Sequence, residues 1–182
     1  MRIGIVVGSI RESRKGMSVG EWVHSLAADR PGAEYALIDL KSFNVPLLTS
    51  ATVPGAANRQ YESAEVRAWG AAIDGCDGFV FVTPEYNHGV PGAFKNAVDS
   101  LYPEFVGKTV GFVSYGADGG IRSVEHWRPV VANFQMVDVR AQVALSIFTD
   151  FAGDQFTPGE RRGAEVGVLL DQLESLTAKV RA

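Results

Sequence analysis

The hydrophobic pattern of this chain switches repeatedly between two periods. Continuous apolar runs occupy Arg2 to Val7, Tyr35 to Leu40, Asp77 to Val82 and Lys108 to Ser114, and a fifth is shared between 137–139 and 143–145. Runs of this length, rich in aromatic and β-branched residues, read as strands buried on both faces. Between them the apolar positions recur at helical spacing. Val19, Trp22, Val23, Leu26 and Ala27 mark a helix up to Asp29, with Pro31-Gly32 as its stop. Val66, Trp69, Ala72 and Ile73 mark a second, over about 60–73, for which Asn58 is a candidate cap. Val90, Ala93, Phe94, Ala97, Val98 and Leu101 mark a third, with Pro91 near its first turn. Ile121, Val124, Val131 and Phe134 mark a fourth, which Pro129 should bend. Val166, Leu169, Leu170, Leu173 and Leu176 mark the last. The fifth strand is expected to break near Arg140-Ala141; 42–58 is the least regular stretch, and 148–159 reads as a loop.

Strand and helix thus alternate five times. That argues an α/β fold: a doubly wound, five-stranded parallel sheet covered on both faces, a three-layer sandwich. The order 2-1-3-4-5 is favoured, and it places a ligand crevice between the ends of strands 1 and 3. A chain of 182 residues is expected to form one domain over 1–182.

Composition narrows the function. With 46% hydrophobic and 21% charged residues the chain is an ordinary globular one. Its net charge of −4 gives no electrostatic case for nucleic acid or an anionic membrane. Basic residues cluster once, at Arg11, Arg14 and Lys15, which suggests a small anion and not a polyanion. Cys76 is the only cysteine, so no disulfide can form within the chain; it is expected to be a small core residue. No apolar run approaches ~18 residues and no leader precedes the first strand, so a cytoplasmic location is expected.

Candidate chemistry falls in three loops. The first offers Ser9, Arg11, Ser13, Arg14, Lys15 and Ser18 around Gly8 and Gly16, just before a helix N-terminus. Hydroxyls, guanidinium groups and unpaired helix N–H donors together make an anion site. It is neither a P-loop nor a dinucleotide fingerprint, because the glycine spacing of both is absent. The second loop, Pro84-Glu85-Tyr86-Asn87-His88-Gly89, packs a carboxylate, a phenol, an amide and an imidazole at the end of a buried strand. The third, Ser114 to Gly120, is Gly-rich and reads either as a plain turn or as bare backbone N–H groups offered to negative charge. His24, His88 and His126 are not at metal-ligand spacing, so no metal is expected. Ser9 lacks the setting of a nucleophile elbow, and a hydrolase on this fold would have no nucleophile.

The stretch PEYN-HGVPGAFKNAVDSL, Pro84 to Leu101, resembles the signature of the NADPH-dependent FMN reductase family, flavodoxin-like enzymes that include quinone, azo-dye and chromate reductases. Gly8-Ser9-x-Arg11 resembles that family's phosphate-binding loop, and Gly116 to Gly120 its Gly-rich segment beside the flavin. The resemblance implies FMN as cofactor, with Ser9 and Arg11 on its phosphate. Gly16, Met17 and Ser18 would complete the cradle. Arg14-Lys15-Gly16-Met17-Ser18 departs from the family's usual serine-asparagine pair, so Arg14 could serve the FMN phosphate or that of incoming NADPH. Pro84, Glu85, Tyr86 and Asn87 would meet the flavin ring, largely through backbone and the Asn87 amide, with His88 lining the pocket; a plain packing role is equally open to Tyr86. Ser114, Tyr115, Gly116 and Gly119 would face the ring from the third loop. No side chain is implied as a catalytic group, since the flavin carries the chemistry.

On this reading the protein takes hydride from NADPH or NADH and reduces a quinone or another small acceptor by a ping-pong route. The resemblance also implies self-association through the helix at 90–101, as a homodimer or tetramer. The alternative from another class is a flavodoxin-like electron carrier that holds FMN without turnover; the Arg-rich phosphate loop and mild acidity favour the enzyme.

Overall fold

A computed structural model describes all residues, 1–182. Five parallel strands form one sheet in the order β2-β1-β3-β4-β5. They are β1 (Arg2–Val7), β2 (Glu34–Asp39), β3 (Gly78–Pro84), β4 (Thr109–Gly116) and β5 (Val137–Ser146). All seven residues of β3 are buried, as its central place requires.

The helices divide between the two faces. One face carries α2 (Ala64–Asp74), α3 (Gly92–Asp99) and α4 (Ile121–Asn133) over a core of Phe79, Phe81, Phe112, Trp69, Phe94 and Trp127. The other carries α1 (Gly16–Ala27) and α5 (Arg161–Arg181) over Ile3, Ile5, Val80, Val82 and Val113. Alternation along each strand sends neighbouring side chains to opposite layers, so one sheet serves both cores. Both indoles of the first layer are satisfied while buried: Trp69 donates to Ala97 O (2.8 Å) and Trp127 to Thr83 Oγ1 (3.1 Å). Cys76 lies in this layer, 2% exposed, and burial pushes its thiol up.

Several boundaries differ from the pattern-based expectation. Helix α1 begins at Gly16, not Val19, so Gly16, Met17 and Ser18 belong to its first turn. The cap of α2 is Ser63, whose hydroxyl accepts from Val66 N at 3.2 Å, whereas Asn58 turns through a left-handed conformation (φ 49°). Leu26 and Ile121, expected inside, are 42% and 46% exposed because each lies off the face its helix buries. Helix α4 continues through Pro129.

Strand β5 runs unbroken past Arg140-Ala141, but its register shifts there. Between the pairs Val110–Asp138 and Phe112–Gln142, β4 advances two residues while β5 advances four. The unpaired bulge backbone is satisfied from the helices: Ala141 N donates to Gln172 Oε1 (3.0 Å), and Val139 O accepts from Arg128 (3.5 Å). Beyond β5, the stretch 148–159 is not plain loop but contains a short antiparallel hairpin, β6 (Phe151–Ala152) and β7 (Gln155–Phe156).

Candidate active site

The carboxyl ends of β1, β3 and β4 open into a cavity of about 490 Å³. This is the switch point of the sheet, where strand order reverses on either side of β1. Its wall is built from the loop after β1, the start of the loop after β3, the turn after β4, and Ile147 and Asp154 beyond β5.

Gly8 ends β1 and makes the close approach possible. A Cβ there would stand 2.0 Å from Phe94 Cδ1, so only glycine lets α3 pack against the base of the loop. Ser9 is 2% exposed, and its hydroxyl shares a 2.9 Å hydrogen bond with Tyr86 Oη, joining the first loop to the second. The Arg11 guanidinium lies 5.9 Å from the centroid of the Tyr86 ring and has no carboxylate partner. Arg14 is different: its Nη2 donates to Asp39 Oδ2 at the end of β2 (2.5 Å), while its Nε is buried with no partner. Lys15 donates to Gly153 O and, at 3.0 Å, to Asp154 Oδ1.

The second loop is a tight reversal. Tyr86 and Gly89 exchange backbone hydrogen bonds of 3.1 and 2.9 Å. Asn87 and His88 between them both have positive φ, 49° and 65°, as a type I′ turn requires. Both side chains are exposed at its tip. Glu85 is pinned from the other side. Its carboxylate accepts from Arg122 N at the start of α4 (3.1 Å) and from Arg122 Nε (2.6 Å) and is nearly buried. It therefore complements both a helix N-terminus and a guanidinium. Glu85 N donates to Tyr115 O (3.1 Å), so the second and third loops are tied through backbone as well.

The Tyr115 ring fills the floor of the cavity. It is 6% exposed, and burial raises its phenol well above the ordinary range, with Tyr86 adding in the same direction. Gly16 lies directly beneath it: a Cβ there would stand 2.6 Å from Tyr115 Oη. Ser114 donates to Gly119 O (2.7 Å) and so closes the third turn, with Gly119 and Gly120 both at φ 74°. A Cβ on Gly116 would meet Gly120 N at 3.2 Å.

Of the residues expected at the site, the cavity brings together Ser9, Arg11, Arg14, Pro84, Glu85, Tyr86, Tyr115 and Gly116. It leaves Gly16, Met17, Ser18, Asn87, His88, Ser114 and Gly119 off its lining. Gly16, Ser114 and Gly119 act beneath it as supports. Ser18 Oγ donates back to Lys15 O (2.9 Å), and Met17 Sδ lies 3.9 Å from Arg14 Nη2. Glu12, Ser13, Lys15, Ala117, Ile147 and Asp154 complete the lining. Ser13 and Lys15 were legible in the basic loop, but Ile147 and Asp154 carry no motif and arrive only through the hairpin.

The sequence model of the NADPH-dependent FMN reductase family matches residues 1–150. An NAD(P)H-dependent FMN reductase of Schizosaccharomyces pombe is 37% identical over 149 residues, 82% of this chain and 74% of that protein. One from Nectria is 38% identical over 126 residues, 67% of this chain and 63% of that protein. A quinone reductase of Escherichia coli is 43% identical over a shorter span of 74 residues, 37% of this chain and 39% of that protein. Among solved structures, a flavoenzyme NAD(P)H:(acceptor) oxidoreductase from Paracoccus denitrificans superposes with a TM-score of 0.75 at 19% identity, covering 96% of this chain and 97% of the other. The aligned region spans nearly the whole of both chains.

Proposed function

This chain belongs to the NADPH-dependent FMN reductase family, and on that premise we propose that it is an FMN-dependent oxidoreductase. It would take hydride from NADPH or NADH and deliver two electrons to a quinone or another small acceptor. The observation that carries the reading is the meeting, in one cavity at the switch point, of an unpaired guanidinium, the polar loop that leads into α1 and an aromatic, backbone-rich wall.

The residues present fit FMN. Arg11 has no carboxylate of its own, and the buried Nε of Arg14 has no partner, so the first loop has spare donors for a phosphate. Ser9 adds a neutral hydroxyl beside them. Pro84, Tyr86 and Ile147 supply apolar and aromatic wall, and Gly116 and Ala117 bring bare backbone to the opposite side. Bound there, FMN supplies the hydride chemistry itself. Glu85 holds the second loop rigid against α4, and Ser9 with Tyr86 fixes the junction of the first two loops. Tyr115, raised far above neutral pH, stays a protonated phenol and contributes no charge.

Arg14 is proposed to position the loop through Asp39 and to serve the cofactor phosphate with Nε. Asn87 and His88, exposed on the I′ turn, are placed to meet substrate at the rim. The unit of function is a single domain over 1–182. No helix is long and apolar enough to cross a membrane, and we place the protein in the cytoplasm, where the nicotinamide donors are made. We also propose a homodimer or tetramer. Helix α3 spends Phe94, Ala97 and Val98 on the core, so the surface we propose for this is the adjoining loop, where Leu47 and Val53 are 77% and 66% exposed.

Nicotinamide and acceptor would share one cavity of about 490 Å³ with the cofactor, which leaves room for one of them at a time. Steady-state rates at varied donor and acceptor should give parallel double-reciprocal lines. Intersecting lines would mean that both bind together and would overturn the shared-cavity route.

A further inference from the structure

The cavity is lined by as many carboxylates as cations. Arg11, Arg14 and Lys15 face Glu12, Glu85 and Asp154. Most of these charges are committed elsewhere: Arg14 to Asp39, Glu85 to Arg122, and Glu12 to Lys41 at 2.7 Å. Arg11 is free, and Lys15 is held only by the tip of the β6–β7 hairpin. Arg11 and the Nε of Arg14 are already free to serve a phosphate, so the question is which further cation can be recruited by exchanging its partner.

Exposure decides between the candidates. The Arg14 and Asp39 side chains are 12% and 26% exposed, and Asp39 also accepts from Lys41 N at 3.0 Å, so that pair is built in. The Asp154 side chain is 96% exposed. Ion pairs with so exposed a partner are worth little, because water solvates the freed carboxylate at almost no cost. Lys15 itself, 24% exposed at the head of α1, stands over the Phe151 ring at 5.1 Å. Its ammonium is therefore kept near the cavity whichever anion it serves.

We infer that Lys15 is a further, recruitable cation of the phosphate subsite beside Arg11 and Arg14, and that Asp154 is its resident competitor, exchanged for phosphate when the cofactor binds. Asp154 thereby sets how strongly the site discriminates a phosphorylated flavin from an unphosphorylated one. This rests on the FMN reading of the cavity and adds the residues that grade it. The hairpin tip at Gly153-Asp154, tied to the first loop through Lys15, is released by the exchange.

The test is flavin binding to the whole chain, followed by fluorescence quenching, with FMN and riboflavin measured in parallel. Asp154→Asn should tighten FMN about two- to fivefold, the range set by an exposed ion pair, and leave riboflavin unchanged. Lys15→Met should weaken FMN roughly tenfold, as loss of a charge-assisted bond implies. In the Lys15→Met background, Asp154→Asn should no longer help. A parent protein that binds neither flavin would sink the cofactor reading itself. A parent that binds FMN, with Asp154→Asn neutral, equally effective on riboflavin, or still effective without Lys15, would overturn the exchange alone.

Discussion

Arg11 and Arg14 stand three positions apart in one loop and differ in what they can offer. Arg14 is spent largely on Asp39, whereas Arg11 lies over the Tyr86 ring with no carboxylate in reach. Replacing Arg11 by Ala should remove a charge-assisted bond worth ~1.5–3 kcal/mol, lowering FMN affinity by roughly ten- to a hundredfold. Riboflavin, lacking the phosphate, should bind as before; equal losses for both flavins would contradict the assignment. The basic cluster made both arginines visible in the sequence, but nothing in it distinguished them. That distinction depends on Asp39, which lies at the end of a strand 25 residues away. Asn87 and His88 show the same limit. Their types suggested a pocket, while their positive φ values place them on the tip of a tight turn, a property of the backbone closure between Tyr86 and Gly89.

Among the elements, the strands and helices were legible because each buries a face whose period is written in the chain. The hairpin was not, since two strands of two residues each carry no period at all. What fixes it is a buried ion pair at its base. Asp150, 3% exposed, accepts from Arg162 Nε and Nη2, both at 3.0 Å, and from Ser146 N at 2.9 Å. Burial by itself would raise the Asp150 carboxyl, but Arg162 and the backbone donors outweigh it and hold it below the usual carboxylate range. A native value below the unfolded one means that this stabilisation is fully present above the unfolded pKa of ~3.9 and is lost as pH falls through the native one. Asp150→Asn should cost on the order of 3 kcal/mol at neutral pH, the scale of a broken buried pair. Denaturant melts at stepped pH should show parent and variant converging as pH drops below about 4; a gap that stays constant down to acid would refute the electrostatic account. Hydrogen exchange at 151–156 should rise in the variant, because the hairpin loses its anchor.

At the scale of the whole molecule, the strand order was foreseeable because alternating strands and helices leave few topologies, and the observed β2-β1-β3-β4-β5 sheet puts the two most polar loops side by side. How molecules associate was less legible. The apolar stripe from Val90 to Leu101 suggested a spare face, yet Phe94, Ala97, Val98 and Leu101 are all at most 1% exposed. The most exposed apolar side chains lie in loops, Leu47 and Val53 between β2 and α2 and Phe148 after β5, and loops have no period. Sedimentation at micromolar concentration should give a mass of at least twice 19.5 kDa, and Leu47→Glu together with Val53→Glu should shift it to the monomer; a parent that is monomeric from the start would remove the proposal.

The functional reading rests on a flavin that turns over in this cavity. The most direct test is to saturate the purified chain with FMN, exclude oxygen, and add NADPH or NADH while following the flavin absorbance. The band should bleach with either donor and return when a quinone is admitted. An FMN-loaded protein whose absorbance neither nicotinamide changes would contradict the enzyme and leave a protein that only carries the cofactor.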